Sequence, residues 1–405
     1  MDSQLAERTE TPTVSGRVVA AMTFATGAVI ANLYYAQPLE DTLAHAFSAH
    51  TSSIGLINTV LQVGYAVGLA TLVPLGDLLE RRRLLVTMLA VASCGMLLMT
   101  VAPSLAVFGA AAAVVGVSSV AVQVIVPFAS HLAGKGQHGR IVSTVMSGLL
   151  MGILLSRTVS GVIADLFGWR AVFGLGAALT ASVAVVLWRE LPVVAPMVSL
   201  RYPALLASVL VLLREEPVLR IRIIHGALTF ASFSVFWASA GFLLAREPYG
   251  WSEATIGAFA LFGAAGALAA RYAGRLVDKG YSPRATTGIW VAMMALSYVL
   301  IGLGAESAVA LAIGVVFMDM GCQATHINNQ NLIFPLRPEA RSRLNTAYMV
   351  FYFIAAAIGS ALSAVIYAEW GWTGVSILGG VLPALSFLVW VWEYTRSRRP
   401  VPVAA

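Results

Sequence analysis

The chain has 405 residues, of which 59% are hydrophobic types and only 11% are charged, with a formal net charge of +6. A soluble domain carries about 25% charged residues and a disordered chain is mostly polar, so this composition excludes both and points to lipid as the main solvent. Two cysteines, Cys94 and Cys322, fall inside apolar runs and make no disulfide framework, and no spacing resembles a metal site, so neither a metal nor a cofactor is expected.

Residues 1–16 are polar and read as a cytoplasmic N-terminal tail rather than a leader. Twelve segments then have the roughly 20 mostly apolar residues that cross hydrocarbon. They run over 17–39, 54–75, 84–101, 105–128, 141–164, 171–188, 218–245, 254–274, 286–304, 308–331, 344–368 and 373–392. A closed barrel would show short alternating strands instead of these unbroken Ala-, Leu-, Gly- and Val-rich runs. Between the sixth and seventh segments lies a cytoplasmic connector, 189–217, with an apolar piece Ala204 to Leu213 too short to span. It reads as an interfacial helix. The chain closes with a cytoplasmic tail, 393–405.

The expected fold is thus an all-α polytopic membrane protein with twelve transmembrane helices in two six-helix bundles, 17–188 and 218–392. One set of loops holds Arg81, Arg82, Arg83, Lys135, Arg140, Arg189, Arg201, Arg214, Arg275, Lys279, Arg284, Arg337, Arg341 and Arg343. The other holds Arg170 and Arg246 against Glu40, Asp41, Asp165, Glu247, Glu253, Glu306 and Glu369. The bias of Lys and Arg toward the cytoplasm places both termini there.

The two halves repeat. The stretch RIVSTVMSGLLMGILLSRTVSGVIADLFGWRAVF starts at Arg140 and RLNTAYMVFYFIAAAIGSALSAVIYAEWGWTGVS at Arg343, an ungapped offset of 203 that pairs Gly168-Trp169 with Gly371-Trp372. At an offset of 201, Asp77 in PLGDLLERRR meets Asp278 in GRLVDKGYSPR. Duplicated six-helix halves point to a central site between them.

With these motifs the chain resembles the major facilitator superfamily over nearly its whole length. The family's loop after the second span runs roughly G-x-x-x-D-R-x-G-R-R. In VPLGDLLERRR, Asp77, Arg81 and Arg82 match, while Val73, Leu78 and Glu80 replace the usual glycine, arginine and glycine. The second copy keeps Gly274, Asp278 and Gly280. The resemblance implies a major facilitator fold working by alternating access, often with proton coupling. NLYYAQPL from Asn32 and QVGYAVGLATLVPLGD from Gln62 look like the drug and metabolite proton antiporter branch. The fifth span carries Gly148, Gly152 and Gly161, but no proline follows Gly161 as that branch's motif would have it.

Charges inside the spans are the sharpest functional signal, because hydrocarbon is hostile to them. Asp319 lies eleven residues into its span, about 16 Å deep at 1.5 Å per residue. Asp319, Gln323, His326 and Gln330 follow 4, 3 and 4 apart, on one helix face. A carboxylate and an imidazole there suit proton uptake and release; a structural carboxylate bonded to neighbouring helices is the bland reading. Arg157 needs an acid, a ring of carbonyls or an anionic solute. Asp165, eight residues on, shares its face, and Asp319 is a second candidate across the halves.

Asn32 and Tyr34 in the first span, Gln123 in the fourth and Trp237 in the seventh are further proton-coupling or solute-binding candidates, against packing or aromatic-belt roles. Gly148-x-x-x-Gly152 permits close helix approach. Asp77, Arg81, Arg82 and Asp278 form a candidate conformational latch, in which the arginines reach across to the other half.

The expected function is proton-coupled efflux of small drug-like or metabolite solutes, by a monomer in a bacterial-type inner membrane. The alternative is import of an organic acid or other polar metabolite, with Arg157 recognising the anion. The expected partners are a small solute, protons and the bilayer, not nucleic acid. No H-E-x-x-H, G-x-S-x-G or nucleotide loop occurs, so an enzyme is not expected.

Overall fold

The computed structural model describes residues 15–133, 137–194, 202–264, 266, 272, 276, 279–337 and 340–397. All regular structure among them is helical. Twelve spans form two bundles of six. The first is Gly16–Ala31, continued by a turn and a 3-10 segment, Gln37–Leu39. The second to sixth are Thr51–Thr71, Arg81–Val101, Leu105–Ser119 with Ala121–Leu132, His138–Phe167 and Trp169–Glu190. The seventh is Pro217–Trp237 with Ala240–Ala245, and the eighth starts as Glu253–Phe259 and Ala260–Ala264. The ninth and tenth are Pro283–Leu303 and Ala308–Ile333. The last two share the helical stretch Arg341–Ser397, parted at Gly371.

Local chemistry explains where these helices begin. The side chains of Ser104, Ser252 and Ser307 accept from Val107, Thr255 and Ala310 amides, capping the fourth, eighth and tenth spans. Pro217 and Pro283 open the seventh and ninth from the first turn, where a missing N–H costs nothing. Glu80 accepts from the Arg82 and Arg83 amides at 2.9 and 3.1 Å. A glycine there would leave both donors open, so the departure from the family loop has a structural use.

The repeat is visible in the backbone. Gly168 and Gly371 both adopt positive φ, +82° and +59°, at the fifth-to-sixth and eleventh-to-twelfth joints. Only glycine takes that conformation without strain. Each is followed by a buried tryptophan, Trp169 and Trp372, seating the next helix.

The first, fourth and seventh spans are among those that are not the unbroken runs that hydropathy suggests. The first breaks at residues 32–36, where Asn32, Leu33 and Tyr34 amides bond three residues back, ahead of Pro38, which lacks an amide. The fourth breaks at Val120 and the seventh at Ala238-Ser239. The first and seventh are equivalent in the repeat, so their breaks form a symmetric pair flanking the centre.

The end of the molecule holding Glu40, Asp165 and Glu253 is here called the acidic end, and the opposite one the basic end. The halves meet mainly along two pairs of spans, the second with the eleventh and the fifth with the eighth, which the repeat exchanges. In the latter pair, a Cβ on Gly161 would lie 2.0 Å from the Glu253 carbonyl oxygen, and one on Gly257 2.5 Å from that of Arg157. Thr158 also donates to the Gly257 carbonyl at 2.8 Å. Within the first half, Gly148 and Gly152 pack against Thr23 and Gly27 just as closely. The connector contains a helix, Tyr202–Glu215, whose Tyr202 hydroxyl donates to the Thr71 carbonyl at 2.9 Å.

Candidate functional site between the halves

Arg157 is brought to the centre by the fifth span and is 4% exposed. Its Nε donates to Gln37 Oε1 at 2.7 Å and its Nη1 to the Ile153 carbonyl at 3.2 Å. The guanidinium lies over two aromatic rings, 4.6 Å from the centroid of Tyr34 and 4.3 Å from that of Trp237. Tyr34 lies in the first span's break and Trp237 ends the helix just before the seventh's, and their faces attract a cation where water is excluded. Nη2 is buried with no hydrogen-bond partner among the described residues.

Asp319, 3% exposed, approaches from the tenth span. Two glycines of the eighth span make room for it. A Cβ on Gly263 would fall 2.4 Å from Asp319 Oδ2 and 3.6 Å from the Trp237 ring, and one on Gly266 3.4 Å from Asp319 Cβ. Oδ1 is buried and has no hydrogen-bond partner among the described residues. Arg157 and Asp319 make no direct ion pair there but lie within electrostatic reach of each other. The site is thus one cation from the first half and one acid from the second, with Trp237 beside both. Buried groups left without partners are sites where a proton, water or ligand can bind.

Toward the basic end the cleft is aromatic. Phe230 stacks on Tyr352 at 3.8 Å, and Tyr65 meets Phe353 across the halves at 4.3 Å. Gln123 donates to the Tyr65 hydroxyl at 3.2 Å. His326 shares a hydrogen bond with the Tyr348 hydroxyl at 3.1 Å and packs on Tyr352. Gln323 lies between Asp319 and His326 on the same face, its Cγ 2.9 Å from where a Gly266 Cβ would be. Toward the acidic end, Gln37, Arg157, Trp237, Gly241 and Ile256 line a cavity of about 10 Å³, the space of a single water.

Several expectations need correction. Asp165 does not pair with Arg157. Its Oδ2 accepts from the Ala254 amide at 3.1 Å, capping the eighth span of the other half. Asn32 is turned to the sixth span: its Nδ2 donates to Thr180 Oγ1 at 3.3 Å, while its Oδ1 is buried with no hydrogen-bond partner among the described residues. Arg81 and Arg82 both engage their own half in this conformation. Arg81 Nε donates to the Gly76 carbonyl at 2.9 Å and its guanidinium sits by Phe128, while Arg82 donates to the Leu191 carbonyl at 3.2 Å and lies over Trp188. The side chain of Asp77, and Asp278 entirely, lie outside the described residues.

Sequence reasoning also passed over buried groups. Arg222, 0% exposed, forms an ion pair with Glu393, which His225 Nε2 approaches at 3.7 Å and Arg284 Nε at 3.6 Å. This cluster joins the seventh, ninth and twelfth spans within one half. An arginine and a histidine three apart in an apolar run were its signal. Glu40, 1% exposed, was counted among loop acids.

A sequence profile of the Major Facilitator Superfamily matches residues 19–245 and 223–404. The uncharacterized transporter YgaY of Escherichia coli O157:H7 is 46% identical over 377 residues, covering 93% of this chain and 95% of that protein. The inner membrane transport protein YnfM of Escherichia coli (strain K12) is 24% identical over 391 residues, with 92% and 89% covered. A crystal structure of a mutant of the nucleoside transporter NupG superposes with a TM-score of 0.77 at 12% identity, covering 93% of this chain and 100% of that one. Profile, relatives and fold agree: this chain is a multi-pass membrane transporter and belongs to the Major Facilitator Superfamily.

Proposed function

We propose that this transporter is a proton-coupled exporter of small, moderately hydrophobic solutes, working by alternating access as a monomer in the inner membrane. The basic end faces the cytoplasm, together with both termini. The observation that carries the reading is the meeting of Asp319 and Arg157, one from each half, in a nearly dry cleft walled by aromatic rings. A carboxylate there holds a proton while sealed from water and exchanges it when a rocking half admits solvent. Aromatic faces suit a solute with apolar area better than a strongly hydrated one. Asp77, Arg81, Arg82 and Asp278 bias the two conformations as a latch at the basic end, with Arg81 and Arg82 ordering the first half's side of it.

The test uses everted membrane vesicles carrying a proton gradient, challenged with chemically diverse solutes. An exporter dissipates the gradient when its solute is added. A second reading, import of an organic acid, is favoured by one observation: Arg157 Nη2 is a buried donor with no partner among the described residues, which an anionic oxygen would satisfy. If no solute dissipates the gradient in everted vesicles while an organic anion accumulates in right-side-out vesicles, that second reading replaces the first.

A further inference from the structure

Glu40 lies just past the first span, in the short helix Glu40–Ala46 at the acidic end. It is one of the most deeply buried acids of the chain, at 1% exposure. Its Oε1 accepts from Asn58 Nδ2 of the second span, while Oε2 is buried with no partner among the described residues. What covers it belongs to the other half: a Cβ on Gly241 would stand 3.2 Å from Glu40 Oε2 and 2.9 Å from the Gln37 carbonyl oxygen. The carboxyl group is therefore wedged where the halves close.

The surrounding charges do not neutralise it. On its own helix, Asp41 pairs with Arg246 at 3.3 Å and with the exposed His45 at 3.3 Å. Arg246 ends the seventh span, so the cation that this span supplies is already engaged with Asp41. Thr42 bonds to Glu253 of the eighth span, beside which Asp165 of the fifth caps the same helix. Tyr367 of the eleventh span also lies within electrostatic reach of Glu40. Arg157 is turned toward Gln37. An ionised carboxylate with an unpartnered oxygen in so dry a contact is costly, whereas the neutral acid is far less so.

We infer that Glu40 is a second proton-binding site, which takes up a proton from the aqueous phase at the acidic end and, once neutral, lets the two halves close over it. The bound proton leaves to the same phase when Gly241 swings away and water reaches the carboxyl group. Acid on that side thus favours closure, and each closure is linked to one proton besides any held at Asp319. This rests on the alternating-access reading above.

The experiment measures the distance between spin labels on cysteines placed at Ala46 and Glu306, in the full chain in vesicles with Cys94 and Cys322 replaced by alanine. For a one-proton gate the closed-to-open ratio of the parent protein falls by up to about tenfold per pH unit as pH rises. E40Q, a neutral mimic, keeps the closed distance with less than about a twofold change in that ratio over the same range. His45 and Asp319 remain in E40Q, so the difference isolates Glu40. D319N retains the pH response of the distance if Glu40 carries this proton, even where gradient-driven transport is lost. A parent protein without a pH response, or an E40Q protein with the parent's response, overturns the inference. So does loss of the response in D319N alone. If E40Q does not fold, N58A serves: removing the donor that favours the ionised form moves the midpoint to higher pH, and an unchanged midpoint overturns the inference.

Discussion

Arg157 combines a directed bond to Gln37 with two ring contacts. A lysine keeps the charge but neither the planar fork nor the stacking. R157K should therefore fold and insert normally yet transport at least about tenfold more slowly, in line with losing a charge-assisted hydrogen bond of about 1.5–3 kcal/mol. Transport at the parent rate would reduce Arg157 to a packing element. Asp319 and Arg157 were both legible in the sequence, because a charge in an apolar run stands out without coordinates. Glu40 was not. It follows its apolar run directly and looks like any loop acid, and its burial is created by Gly241, some 200 residues away and in the other half. Asp165 misled for the same reason: helical spacing put it on the Arg157 face, but the free amides of the eighth span compete for its carboxylate.

At the scale of helices, the contact of the fifth and eighth spans is backbone to backbone. A methyl group on Gly161 has no side chain to displace, only the Glu253 carbonyl. G161A should shift the population toward an open acidic end, read as a longer spin-label distance there; an unchanged distribution would mean the spans separate at no cost. The Arg222–Glu393 pair makes the opposite kind of contact, inside one half. E393A leaves a buried guanidinium without its acid and should destabilise the protein by about 3–5 kcal/mol, seen as a lower Tm in detergent. A Tm equal to the parent's would show that Arg222 finds another acceptor. The positions of the twelve spans and the 203-residue repeat were readable, down to the paired Gly-Trp joints. The breaks at 32–36 and at Ala238-Ser239 were not, since hydropathy is blind to a turn flanked by apolar residues. Yet those breaks set Tyr34, Gln37 and Trp237 around Arg157.

For the whole molecule, loop charge and duplication identify two bundles and two chemically distinct ends, but not which surfaces meet. Pairing of the fifth span with the eighth and the second with the eleventh depends on glycine and ring contacts with no periodic signature. Those pairings bring an acid of one half to a cation of the other, which is what lets a local protonation bias a global motion. Sealed vesicles carrying D319N, correctly folded, measure that link most directly. The variant is expected still to exchange solute down its own gradient but no longer to accumulate it against one when a proton gradient is imposed. Full proton-driven accumulation by D319N would contradict that link.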